Sequence, residues 1–286
     1  MSVQISGTTL EGLGNIPKNA EHSYQYLLIR LLLGTATVAR GNTRRKQEVD
    51  YSSLPATVQT KSPAIAVNDF LSDYSIGGSV KRLIKLTLGD NRDFYKEVIS
   101  EFMNYQIQTT KGNSTSAFVF LYRILERISY SVPLLYSSTQ SDYRGTFNDL
   151  KSILNADIEG ELGLFKKFLG KGRFIDPLKL EVAQKISFST ISGHGANYYN
   201  LTSTRFAKFV STDQANNEVE IKFSDIPEFL ITIRNRFFHS RTGDGKKNIT
   251  TIEMPDSDEY FGKINPIIAS FLAIVTLQTI AAKYHI

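Results

Sequence analysis

The chain has 286 residues, with 33 Lys+Arg against 28 Asp+Glu and neither cysteine nor tryptophan. That length can bury a core without disulfide or metal staples, and the lack of cysteine excludes a disulfide scaffold, a thiolate zinc site, an iron–sulfur cluster and a thiol nucleophile. Four scattered histidines argue against a multi-histidine metal centre, and a formal charge of +5, shared evenly by the two halves, permits a polyanionic partner without requiring one.

The opening residues, Met1 to Gly7, have neither the basic start nor the apolar run of a secretory signal, so a cytoplasmic location is expected. Tyr24 to Leu33 (YQYLLIRLLL) is apolar enough for a buried helix or strand. A basic, turn-rich stretch follows from Arg40 to Lys46, and the chain reads as irregular to about Ala66. Ser79–Leu88 predicts a short basic helix. Asn91–Gln108 predicts another, with Asp93 near its N-terminus, where an acid suits the helix dipole. Asn113–Tyr136 predicts one longer helix, because Leu121, Ile124, Leu125, Ile128 and Val132 recur at helical spacing.

Tyr143–Leu154 and Gly160–Leu169 are further helix candidates. From Ile175 to Asn217 the pattern is weak, with Gly193-His194-Gly195 marking a loop. Glu218–Phe223 alternates as a short strand does. Asp225–Ser240 predicts a clear helix: Asp225 and Glu228 have capping-box spacing, Pro227 suits the first turn, and Gly243-Asp244-Gly245 follows its end. Lys247–Met254 suits a strand, and Ser257–Tyr284 a closing helix with a kink at Pro266. Its run from Pro266 to Ala282 approaches the length of a membrane span, but Ser270, Thr276, Gln278 and Thr279 dilute it, which favours a buried helix and no membrane. The expected fold is mainly α, with residues 1–112 a helical and irregular extension, residues 113–286 a helical domain, and a few short strands.

The segment with chemical content is Ile233-Arg234-Asn235-Arg236-Phe237-Phe238-His239. On a helical wheel Ile226, Leu230, Ile233 and Phe237 form a core stripe, and Asn235 and His239, four apart, stack on the opposite face. Arg234 sits between the two. Ile231 and Phe238 flank Asn235 on the side expected to be wet, so that face is expected to meet another helix or a second copy. Histidine can take or give a proton near neutral pH. Arginine presents a planar fork of donors to phosphate. An amide can orient a hydroxyl without adding charge. RNA brings its own nucleophile, the 2′-hydroxyl, so no metal or cofactor is implied.

Arg234-Asn235-x3-His239 resembles the R-x4–6-H motif of the HEPN superfamily, in its shortest spacing and with the polar residue that commonly follows the arginine. The resemblance covers the motif helix and its neighbours, residues 113–286, and implies a HEPN-like helical bundle. It also implies a metal-independent endoribonuclease of phage defence or toxin–antitoxin systems that dimerises so that two motifs share a cleft. His239 is then the acid/base, Arg234 the phosphate ligand and Asn235 the polar helper. The alternative is a non-catalytic HEPN-like module that binds RNA or protein, or a regulatory subunit beside an antitoxin or defence partner.

Arg236, Arg241, Lys246 and Lys247 are candidate RNA contacts, though a Gly-Asp-Gly segment is also an ordinary turn. Arg44, Arg45 and Lys46 invite the same reading or a solvated loop. His194 is either a second acid/base or an ordinary loop histidine.

Overall fold

The computed structural model describes residues 2–4, 9–10, 14–15, 23–40, 43–154, 160–170, 174–238 and 248–284. Three short strands, β1 (Ser2–Gln4), β2 (Thr9–Leu10) and β3 (Gly14–Asn15), precede helix α1 (Tyr24–Leu32). Ser23 caps α1, its hydroxyl accepting the Tyr26 amide. Every residue from Gln25 to Leu32 is buried, so this helix is covered all round because it runs through the core. Arg30 is fully buried within it. Its Nε donates to Thr35 Oγ1 at 2.7 Å, Nη2 to the Thr35 carbonyl at 2.6 Å and Nη1 to the Tyr26 hydroxyl at 3.4 Å. These neutral dipoles, at the carbonyl end of a helix, are what hold the cation.

The stretch read as irregular holds regular structure. Strands β4 (Thr37–Arg40) and β5 (Thr43–Lys46) form a hairpin, with β1 antiparallel on its other side. A small ladder, β6 (Val49–Asp50) with β7 (Thr57–Val58), leads to α2 (Pro63–Asp73), capped by Ser62 with Pro63 in the first turn. Helices α3 (Val80–Thr87) and α4 (Arg92–Thr110) fall where expected. The predicted 113–136 helix is instead two, α5 (Ser114–Ser129) and α6 (Ser131–Thr139), parted at Tyr130. Pro133 accounts for the break: it has no N–H to continue the α5 ladder and sits instead in the first turn of α6, where none is needed.

Helices α7 (Tyr143–Leu154) and α8 (Gly160–Gly170) match the reading. The weak region contains a short helix α9 (Pro177–Leu180), strand β8 (Ala183–Ser187), helix α10 (Gly195–Arg205) and strand β9 (Val210–Asp213). The expected strand, β10 (Glu218–Lys222), is the centre of an antiparallel sheet ordered β8-β10-β9, with Val219 opposite Ile186 and Thr212. A single 3-10 turn, Phe223–Asp225, joins it to α11 (Ile226–Phe238), and α12 (Ser257–Ala282) closes the described chain. Residues 248–254 form turns rather than the expected strand. The Glu253 carboxylate accepts both the amide and the hydroxyl of Thr250, which curls the segment. Helix α12 passes through Pro266 as one element.

Helix α12 is the spine of the fold. It lies along α5 and touches α1, α6, α11 and β8, while α4 packs on α5 and α1. One hydrophobic cluster runs from Tyr26 to Tyr284, so residues on both sides of position 112 share it. Among the described residues α12 alone is long and apolar enough to cross a membrane, and 83% of its most apolar window is buried within the chain. Its N-terminus is locked to that of α5: Thr115 donates its amide to Asp258 Oδ1 at 2.6 Å, and Asn265 Nδ2 donates to the Ser114 carbonyl at 2.8 Å. The C-terminal end of α11 rests beside this junction.

Candidate functional site

The core stripe of α11 is as the wheel places it: Ile226, Leu230 and Ile233 are fully buried and Phe237 packs on the core. Arg234 and Asn235 are brought together on its flank. The Arg234 guanidinium lies 4.8 Å above the centre of the Tyr122 ring on α5, and its Nη1 donates to Asn235 Oδ1 at 3.1 Å. A planar cation on an aromatic face is held in orientation while its outer donors stay free for a ligand. Burial raises the pKa of the Tyr122 phenol, and the positive charge of Arg234 offsets part of that rise. Asn235 is exposed. His239, Arg241, Lys246 and Lys247 lie outside the described residues.

The described residues on either side of that span are both anchored at the end of α11. Phe238, before it, stacks on Phe118 of α5 with ring centres 5.9 Å apart and planes within 7°. Ile249, after it, donates its amide to the Arg236 carbonyl at 3.0 Å.

Arg236 points away from the motif. Its guanidinium donates to the Arg205 carbonyl at the end of α10 and lies 5.4 Å over the Phe206 ring. Burial and the neighbouring charge of Arg205 lower its pKa, and Arg205 is itself paired with Glu253 at 2.6 Å. Arg236 thus ties α11 to α10, an internal role that the charge pattern alone does not distinguish from phosphate binding. The expected wet apolar face is also covered from within. Ile231 packs on the core, and Phe238, 40% exposed, joins a run of rings through Phe118 to Phe261, 4.5 Å further on. The other helix anticipated for that face is α5 of the same chain.

Comparison with known proteins finds no match: no family model, no curated protein and no solved structure resembles the chain.

His194 belongs to a second polar cluster. Its Nδ1 is 3.0 Å from Glu259 Oε2, and the Tyr198 hydroxyl is 3.0 Å from the same oxygen and 2.8 Å from the Asp256 carbonyl. The bonds from His194 and Tyr198 hold Glu259 below the usual carboxylate range. This group sits between α10 and the start of α12, and among the described residues its hydrogen bonds join those two helices rather than α11. Among the described residues, no three acidic or histidine side chains gather so as to hold a metal ion. Tyr122 and Glu259 are the site neighbours that sequence reasoning missed. Tyr122 lies one residue from the α5 core stripe with nothing to mark it, whereas Glu259 sits three residues beyond the Asp256 cap, where its acid reads as a dipole contact.

Proposed function

We propose that this chain is a HEPN-type, metal-independent endoribonuclease that cleaves RNA by attack of the 2′-hydroxyl, acting in phage defence or as a toxin in the cytoplasm. The observation that supports this reading best is the Arg234–Asn235 pair. An arginine laid on Tyr122 and hydrogen-bonded to an exposed amide is a phosphate-binding arrangement in waiting, one turn before His239 in sequence. In the proposed reaction His239 removes the 2′-hydroxyl proton and Arg234 stabilises the charge that grows on the phosphorane oxygens. Asn235 orients the attacking hydroxyl or the phosphate. The leaving 5′-oxygen takes a proton, and a 2′,3′-cyclic phosphate remains. Attack and departure call for a base and an acid, which favours a two-fold pair of motifs. With Ile231 engaged by its own chain, the exposed edge of Phe238 is the apolar surface of α11 left for that contact.

The test is cleavage of a mixed-sequence RNA by wild type, Arg234→Ala and His239→Ala, with and without EDTA. Cleavage to cyclic-phosphate ends in EDTA, lost by about 100-fold or more in both variants, is expected. Folded variants as active as wild type, or activity that needs magnesium, overturn the assignment. An RNA-binding chain that cuts nothing supports the non-catalytic alternative.

A further inference from the structure

An open cavity of about 420 Å³ lies between the β4–β5 hairpin, β6 and the C-terminal end of α4, a volume in the range of small-molecule sites. Its walls are mostly aliphatic: Val38 and Val49 from the strands, Met103 and Ile107 from α4, with Tyr51 beside them. Cations mark its mouth. Arg45 reaches across from β5 to donate to Thr110 Oγ1 at 3.1 Å, and Lys111 follows at the end of the helix. Glu48, the one acid in the lining, pairs with Lys46 at 3.5 Å. Gln106, in the wall between Met103 and Ile107, has an amide nitrogen with no partner among the described residues. Cations thus outnumber acids in the lining, Arg45, Lys46 and Lys111 against Glu48, and the unpartnered Gln106 nitrogen adds a donor. Aliphatic walls favour an alkyl chain over a flat ring, and the charge at the mouth selects an anionic head.

The geometry points to a binding site for a small anionic amphiphile, an acyl or alkyl chain lying in the trough with its carboxylate or phosphate held by Arg45 and Lys111. This site does not depend on the ribonuclease reading, because its readout is binding alone. Titration calorimetry of the full chain with dodecanoate, dodecyl phosphate and dodecyltrimethylammonium, each below its micelle concentration, tests it. One anion per chain is expected, and the stronger of the two anions identifies a fatty-acid or a phospholipid source. The cation should bind at least about tenfold more weakly. Arg45→Glu with Lys111→Glu, both on the exposed surface, should weaken the anions by about tenfold or more with melting unchanged, and Ile107→Trp should fill the trough and abolish binding. If Ile107→Trp unfolds the chain, the charge reversals decide alone. No saturable binding, equal binding of the cation, or anion binding indifferent to the charge reversals overturns the proposal.

Discussion

Phe238 is where the sequence leaves two readings, another helix of the same chain or a second copy, and its truncation separates them. A wet-face residue waiting for a second copy should be replaceable in the monomer at no cost. The structure instead covers about six-tenths of the ring with Phe118, Phe237 and Phe261. Full burial of such a side chain is worth roughly 1.5–3 kcal/mol, so this coverage amounts to about 1–2 kcal/mol. The parallel stack on Phe118 adds on the order of 0.5–1 kcal/mol. Phe238→Ala should therefore cost about 2 kcal/mol, and Phe118→Ala, at a fully buried position, about 4 kcal/mol. The double variant should lose less than the sum by about 1 kcal/mol, because the stack can be lost only once. Urea unfolding at two protein concentrations about a hundredfold apart measures all of this, and an intramolecular contact gives a loss that persists in full at the lower concentration. A Phe238→Ala chain within about 0.5 kcal/mol of wild type, or a loss seen only at high concentration, refutes the reasoning and returns the ring to an interface between copies.

Two further outcomes follow from the contacts around the site. Arg236→Ala should cost about 1–2 kcal/mol through the lost bond to the Arg205 carbonyl and the stack on Phe206, while RNA affinity at matched folded fraction stays at the wild-type value; a filter-binding titration that shows weaker RNA binding instead puts Arg236 on the nucleic acid. Glu259 is lowered in the folded chain, so the stability it contributes is present above the ordinary glutamate range and is lost as the pH falls through its folded value. Glu259→Gln should accordingly melt below wild type at pH 6 and converge with it in acid; parallel melting curves across that range contradict the assignment.

What the sequence shows of this fold depends on whether a residue's neighbours are local. The core stripe of α11 was legible because Ile226, Leu230 and Ile233 carry their own period, and β10 because Val219 and Ile221 alternate with charged residues. Strand β8 was not, because one of its two inward positions is Gln184, a polar side chain that spoils the alternation. Helix α10 hid for a related reason. Its buried face includes Tyr198 and Thr202, whose hydroxyls are satisfied by the Asp256 carbonyl and by the Tyr198 carbonyl and Tyr260 hydroxyl. In sequence those residues look polar. Helix α2 carried visible signals, Ser62 then Pro63, but they sat in a Ser/Thr/Pro-containing run that also reads as loop.

The same distinction sorts the residues of the candidate site. Within five positions of α11, Arg234, Arg236 and Phe238 have three destinations set by elements distant in sequence: Tyr122, the end of α10, and Phe118. A wheel gives each its angle but not what stands there. Of the two arginines, Arg236 is taken up by the bond to the Arg205 carbonyl, while Arg234 lies on Tyr122 beside the exposed Asn235. The proposal that Arg234 meets a phosphate rests on that difference together with the motif spacing. The aromatic stack that holds Phe238 and the bond from Ile249 to the Arg236 carbonyl then have a common consequence. The chain leaves and re-enters the described structure at the same helix end, one turn from Arg234.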